Sequence, residues 1–258
     1  MIDIHTHILP GIDDGASTFD DTLQMAEAAY REGITTLIAT PHHANGHYMN
    51  LADDVRKLTA EMNGRLRDAG VPVSIACGQE IRVHDDLLDA WHRAELLTLA
   101  DSSYVLLEMP SSRVPSGMEE LIHELHIMGI RPIIAHPERN ADIVRSPEVL
   151  AELVDAGACA QVTTHSLLGG FGKKIEHASW TLMKQGLIHL LSSDAHHVER
   201  RGFRMQEAYE TVEARMGKEW MEYLQSNARQ VMEDGAITAP PVYSAKGAAK
   251  RLWAKLFR

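Results

Sequence analysis

Histidines and carboxylates recur in this chain where they could share a metal ion. Met1-Ile2-Asp3-Ile4 reads as a short buried strand running into His5-Thr6-His7. In an extended chain, side chains two apart face the same side, so both imidazoles can address one point. A Pro-Gly turn follows, and Asp13-Asp14-Gly15 offers carboxylates near the same strand end. Imidazole with carboxylate suits zinc, manganese or iron. Taken alone, the pair could be two unrelated histidines. Further on, His42, Glu80, Glu108, His136, and Asp194 with His196 each follow an apolar run. Singly, Glu80 could be a helix cap, His42 a loop histidine and Glu108 a rim ion pair. Six of the seven apolar runs end this way, and chance would scatter these residues. The pattern points to a multinuclear metal site.

The elements that must position these residues are seven strand-like runs, at 2–7, 34–40, 73–77, 104–107, 132–135, 159–163 and 188–193. Helical stretches separate them. Ser17 is placed to cap the first helix, with Asp20 and Asp21 in its first turn and Leu23, Ala26 and Tyr30 on its apolar face. Others are expected over about 51–69, around Leu87 to Leu96, from Pro115 to Met128, and from Ser146-Pro147 to Gly157. The glycine-rich turn Leu168-Gly169-Gly170-Phe171-Gly172 leads to a helix ending near Gly186, and the remainder to about Glu233 reads as helical. Strands alternating with helices indicate a parallel α/β protein, most simply a barrel. In such a barrel the C-terminal strand ends converge on one face, which carries the chemistry.

At 258 residues, the chain suffices for one large domain or two small ones. No stretch approaches the roughly 18 to 20 apolar residues of a membrane span. The N-terminus lacks the basic-then-apolar pattern of a secretory signal, so a cytoplasmic protein is expected. Cys77 and Cys159 lie in apolar runs and are expected as reduced, packed thiols. The net charge is −11, yet residues after Pro241 include Lys246, Lys250, Arg251, Lys255 and Arg258 and no acid. The preceding body is therefore more acidic still, which argues against nucleic-acid binding and for local capture of any phosphate by metal ions and a few arginines. In the tail, Ala249, Leu252, Trp253, Leu256 and Phe257 share a helical face. This makes 246–258 a candidate peripheral contact with the inner membrane face, against the plainer reading of a frayed tail or a helix packed on the acidic body. The expected division is a barrel over 1–239 and a basic amphipathic tail over 240–258.

His5-Thr6-His7, Thr40-Pro41-His42, Glu80, Glu108, His136 and Ser193-Asp194-Ala195-His196 resemble, in order, the metal motifs of the PHP (polymerase and histidinol phosphatase) family. The likeness covers nearly all of residues 1–235. Within that family the chain is most similar to the manganese-dependent protein-tyrosine phosphatases of bacterial capsule and exopolysaccharide loci. The specific features are DIHTHILPGIDDGA, His136-Pro137-Glu138-Arg139, Gln161-Val162-Thr163 with Ser166-Leu167-Leu168-Gly169, and the Ser-Asp-Ala-His run. Asn140 and His165 stand where that pattern would have tyrosine and a small residue.

The resemblance implies a distorted (β/α)7 TIM-like barrel, the PHP fold, with three divalent ions, manganese first and iron or zinc as alternatives. By position, His5, His7, Glu80 and Asp194 would hold the first ion. Glu80 as a bridge, Glu108 and His136 would hold the second, and Asp14, His42 and His196 the third. Arg139 and Arg201 match the family's phosphate-contacting positions, although Arg139 could instead pair with Glu138 or Asp142 at the surface, and Arg200 stands beside Arg201. The expected reaction is attack on phosphotyrosine by a hydroxide held between ions. The implied partner is a phosphotyrosine protein, an autophosphorylated tyrosine kinase of polysaccharide synthesis. No Cys-x5-Arg motif exists, since Val83 and His165 stand six residues past Cys77 and Cys159. The nearest alternative is another phosphomonoesterase of the family, such as a histidinol-phosphate phosphatase. An amidohydrolase would be expected to carry a bridging modified lysine on the fourth strand, which has none.

Overall fold

A computed structural model describes residues 1–243. The tail segment 246–258, for which a membrane contact was considered, lies outside the described residues.

The apolar runs form short parallel strands because Ile, Val and Leu favour a pleated, two-sided-buried environment. In chain order these are β1 (Ile2–Thr6), β2 (Thr36–Ala39), β3 (His42–His43), β4 (Ser74–Cys77), β5 (Glu80–Arg82), β6 (Tyr104–Glu108), β7 (Arg131–Ala135), β8 (Cys159–Thr163) and β9 (Leu190–Ser192). The helices are α1 (Phe19–Arg31), α2 (Ala52–Asp68), α3 (Leu87–His92), α4 (Met118–Ile127), α5 (Ala141–Arg145), α6 (Glu148–Asp155), α7 (Thr164–Leu167), α8 (Lys173–Lys184), α9 (Met205–Met216) and α10 (Lys218–Met232).

Two of the seven expected runs are bent into pairs, which gives nine strands among the described residues. The second run breaks at Thr40-Pro41, where proline has no N–H for the ladder. The third breaks at Gly78-Gln79. A Cβ on Gly78 would stand 2.9 Å from side chains of Ile38 and Leu99, so only glycine permits that approach. As a result β1, β2 and β4 form one sheet, and β3, β5, β6, β7, β8 and β9 another. The ring closes through a parallel bridge between Thr6 and Ala195, with Asp194 N donating to His5 O and His7 N to Ala195 O, both at 2.9 Å. The architecture is a distorted (β/α)7 barrel.

Several boundaries differ from the sequence expectation. Thr18, not Ser17, caps α1, because its hydroxyl accepts from Asp21 N while the Asp21 carboxylate returns to the Thr18 N–H. Tyr30 is half exposed rather than buried. Helix α4 begins three residues after Pro115, behind Gly117 in a left-handed conformation. Asn140 starts the unforeseen α5 by accepting from Asp142 N and Ile143 N. Gly217 splits the C-terminal helical stretch into α9 and α10.

Ile4, Ile38, Leu106, Ile133 and Leu190 are fully buried and cluster with Ala228 and Val231 of α10. Beside them, buried His189 accepts the Ala160 N–H through Nδ1 at 3.1 Å. Burial pushes its imidazole from the ordinary 6.5 down to about 4. Between those values the unfolded chain binds a proton that the folded chain refuses. His189 therefore contributes its full stability above pH 6.5 and loses it as the pH falls toward 4. The expected loss is about 3 kcal/mol. Urea midpoints at neutral pH and at about pH 4.5 should show it, and His189→Gln should narrow the difference.

Candidate metal centre

All nine expected ligands gather at the C-terminal end of the barrel. His5 lies on β1 and His7 just beyond it, Glu108 ends β6, His136 follows β7, and Asp194 and His196 follow β9, whereas His42 and Glu80 open the short strands β3 and β5 just past the bends after β2 and β4. Asp14 arrives on the loop after β1. His136 and Asp194 take left-handed backbone conformations, with φ of 32° and 56°. For non-glycine residues this costs about 1–3 kcal/mol, and it falls at two of the turns that carry candidate ligands.

Four atoms enclose the first position. His5 Nε2 and His7 Nε2 stand 3.3 Å apart. Each lies 3.5 Å from Glu80 Oε2 and 3.3 Å from Asp194 Oδ1. Ligand atoms about 2.1 Å from a shared ion in tetrahedral array lie about 3.4 Å apart, so the edges fit a divalent transition metal. Glu80 Oε2 and Asp194 Oδ1 are buried and face imidazole nitrogens without a well-aligned hydrogen bond. Buried carboxylate oxygens left this way are costly unless a cation satisfies them.

Glu80 faces two sides, with Oε1 at 2.7 Å from His136 Nε2 and Oε2 at 2.8 Å from His42 Nδ1. Glu108 Oε2 lies 3.8 Å from His42 Nδ1 and also takes Arg82 Nε at 3.0 Å. On the solvent side, Asp14 Oδ1 is 3.4 Å from both His42 Nε2 and His196 Nε2. Mutual proximity groups His7 with Asp14, His42 and His196, and His136 with His5 and Asp194. The nine thus form one continuous belt, and these groupings cut across the three sets expected by position.

The rings are aimed by partners on their far nitrogens. His7 Nδ1 meets Asp13 Oδ2 at 2.7 Å, and His5 Nδ1 meets Gln161 Oε1 at 3.1 Å. Such partners fix the tautomer and leave the other nitrogen free for a metal. Asp13 therefore orients a ligand, while its neighbour Asp14 presents the free carboxylate. Gln161 enters the sequence reading only as part of a family-like run, with no role given to it, and Arg82 does not enter it. For Gln161 the available signal was a polar side chain inside an apolar strand; Arg82 carried none.

Electrostatics follow from this crowding. Burial opposes charge on Asp194, but His5, Arg139 and Arg201 outweigh it and hold the carboxyl well below its usual range. Burial likewise opposes charge on His7, yet Asp13, Asp194 and Glu80 lift it to about 9. Burial and the neighbouring Glu80 carboxylate push Glu108 up.

Both expected arginines enter the site. Arg139 donates to Asp194 Oδ2 at 2.7 Å and to Thr163 Oγ1 at 2.8 Å. The surface alternatives fail, because Glu138 is buried and accepts from Thr163, while Asp142 takes Arg145. Arg201 also pairs with Asp194 and approaches His196 Nε2 at 3.2 Å. Arg200 lines a surface cavity with Asp21 and Gln24 instead. The Nε atoms of Arg139 and Arg201 are buried with no acceptor, which leaves donors for a further anion. Neither cysteine belongs to the cluster. Both are free thiols, and burial pushes Cys159 up to about 12, far from a reactive thiolate.

The family model described as capsular polysaccharide synthesis, CpsB/CapC, matches residues 1–233. The tyrosine-protein phosphatase YwqE of Bacillus subtilis (strain 168) is 43% identical over 241 residues, 93% of this chain and 95% of that protein. A putative tyrosine-protein phosphatase CapC of Staphylococcus aureus is 34% identical over 238 residues, 92% and 93% of the two chains. Among solved structures, one from work on YwqE of Bacillus subtilis and CpsB of Streptococcus pneumoniae, described as unique metal-dependent tyrosine phosphatases, superposes with a TM-score of 0.91. It is 42% identical and covers 95% of this chain and 99% of that one.

Proposed function

Because the chain belongs to the CpsB/CapC capsular polysaccharide synthesis family, we propose that it hydrolyses phosphotyrosine with manganese held by the nine-residue belt. It is a metal-dependent tyrosine phosphatase. The observation that carries the finer reading is the convergence of nine histidine and carboxylate side chains around orphaned buried oxygens. We assign as ligands His5, His7, Asp14, His42, Glu80, Glu108, His136, Asp194 and His196. Imidazole with carboxylate favours manganese or iron over softer ions.

When bound, divalent ions would lower the pKa of a coordinated water to about 7 and neutralise phosphoryl oxygens, supplying a hydroxide nucleophile near neutral pH. The chain's own residues do the rest. Asp13 and Gln161 hold the His7 and His5 rings at Nδ1 and turn each Nε2 inward. Arg139 and Arg201 hold the phosphoryl group through planar, multidentate donors. Asp194 anchors both guanidiniums through one oxygen and faces the histidines with the other. Tyrosine's phenol, with a pKa near 10, is a tolerable leaving group and needs little protonation.

The substrate class is a phosphotyrosine protein, and we infer an autophosphorylated tyrosine kinase of capsule or exopolysaccharide synthesis. Among the described residues no helix is long and apolar enough to cross a membrane.

The test is metal removal. Exhaustive chelation should reduce hydrolysis of a phosphotyrosine peptide by at least about 100-fold. Manganese should restore it, with phosphoserine peptide, histidinol phosphate and a phosphodiester all cleaved more slowly. Full activity in the metal-free protein, or equal rates on all four substrates, would overturn the reading.

A further inference from the structure

The glycine-rich turn between α7 and α8 carries a large apolar side chain that the chemistry above does not use. Phe171 is 40% exposed, unlike most bulky apolar residues of the chain. Gly169 and Gly172 on either side adopt φ of 79° and 90°. Between them, a Cβ on Gly170 would lie 3.0 Å from the His165 ring and 3.2 Å from its carbonyl oxygen, so the turn is pressed against α7. The Phe171 ring is thereby held beside three groups. The Arg139 guanidinium carbon lies 4.4 Å from its centroid, the Arg201 guanidinium carbon 5.8 Å, and the His165 ring 5.9 Å.

We propose that Phe171 is a specificity-determining residue, the wall against which the aromatic ring of an aryl phosphate rests while its phosphoryl group is held by Arg139 and Arg201. The proposal rests on the phosphatase reading above. Both arginines are tied to Asp194, so Phe171 touches the two cations closest to where an ester oxygen would leave. The group bonded to that oxygen must emerge near the exposed ring. An aryl group there removes apolar surface from water and gains an aromatic pair of about 0.5–1.5 kcal/mol. A phosphorylated serine would place only a methylene at that point, too small to cover the ring. His165 completes the corner, which gives a physical use for an imidazole where the family pattern has a small residue.

Non-hydrolysable phosphonates test this at the level of binding, since they are not themselves turned over. With the full-length, manganese-loaded protein, phenylphosphonate and methylphosphonate are compared as competitive inhibitors of phosphotyrosine-peptide hydrolysis. In the unaltered protein phenylphosphonate should bind the tighter. Phe171→Ala should shrink that preference by about three- to tenfold, with methylphosphonate inhibition changed by less than about twofold. Phe171→Trp should restore it. Equal weakening of both inhibitors would show that the ring merely orients Arg139 and would overturn the proposal, as would an unchanged preference. A wild-type protein inactive on every phosphomonoester would defeat the functional reading as well, whereas an active enzyme with an unchanged preference defeats this inference alone.

Discussion

Asp194→Ala is expected to lower kcat/KM for a phosphotyrosine peptide by about 10³-fold or more, because one side chain serves both halves of the site. Its Oδ1 faces His5 and His7 at 3.3 Å, and its Oδ2 receives Arg139 and Arg201. Truncation removes a proposed ligand and leaves two partly buried guanidiniums without their anchor. The surrounding barrel should survive, since ring closure depends on the backbone of Asp194 and Ala195, which the change leaves in place. Metal content by elemental analysis should fall together with activity, while far-ultraviolet circular dichroism stays unchanged. A variant that retains full metal and full activity would remove Asp194 from the centre.

Arg139→Ala should cost about 10²- to 10³-fold in kcat/KM, the range for losing an aimed donor to developing charge in a site sheltered from water. The guanidinium spans Asp194 and Thr163, and its Nε is buried without an acceptor. The proposed further partner of this guanidinium is a phosphoryl oxygen. Arg139→Lys should recover only part of the loss, because an ammonium keeps the charge and loses the planar fork. Metal content should stay near that of the wild type in both variants. That separates Arg139 from the ligands, and an unchanged kcat/KM would take it out of the site altogether.

Which residues form the belt was legible early, because divalent ions need imidazole and carboxylate and a parallel barrel presents such residues at strand ends. His5-Thr6-His7 is ambiguous alone, and it gains weight from the other strand-end residues and from the family resemblance that also marks Ser193-Asp194-Ala195-His196. Neighbouring residues of like type are harder. Asp13 and Asp14 differ only in which way a loop turns, and that is decided by Gly15, where a Cβ would lie 2.0 Å from the His7 carbonyl oxygen. The same holds for Arg200 and Arg201, of which only Arg201 pairs with Asp194, while Arg200 lines a cavity with Asp21 and Gln24. Ser17 and Thr18 are equally good caps on paper, and the reciprocal bond with Asp21 chooses Thr18.

Residue types, placed after six of the seven apolar runs and matched in order to a family pattern, were enough to expect a cage for divalent ions. Tertiary structure alone decided how that cage is shared. Glu80 lies between His42 and His136, His7 reaches toward Asp14, and Asp194 binds two arginines from separate loops. The physical reason is distance. Side chains up to about 190 positions apart in the chain, such as Asp3 and Ser193 at the ring closure, meet only when the barrel shuts. Ångström-scale separations between ligands are set by that closure and by the bends at Pro41 and Gly78, which local periodicity does not encode.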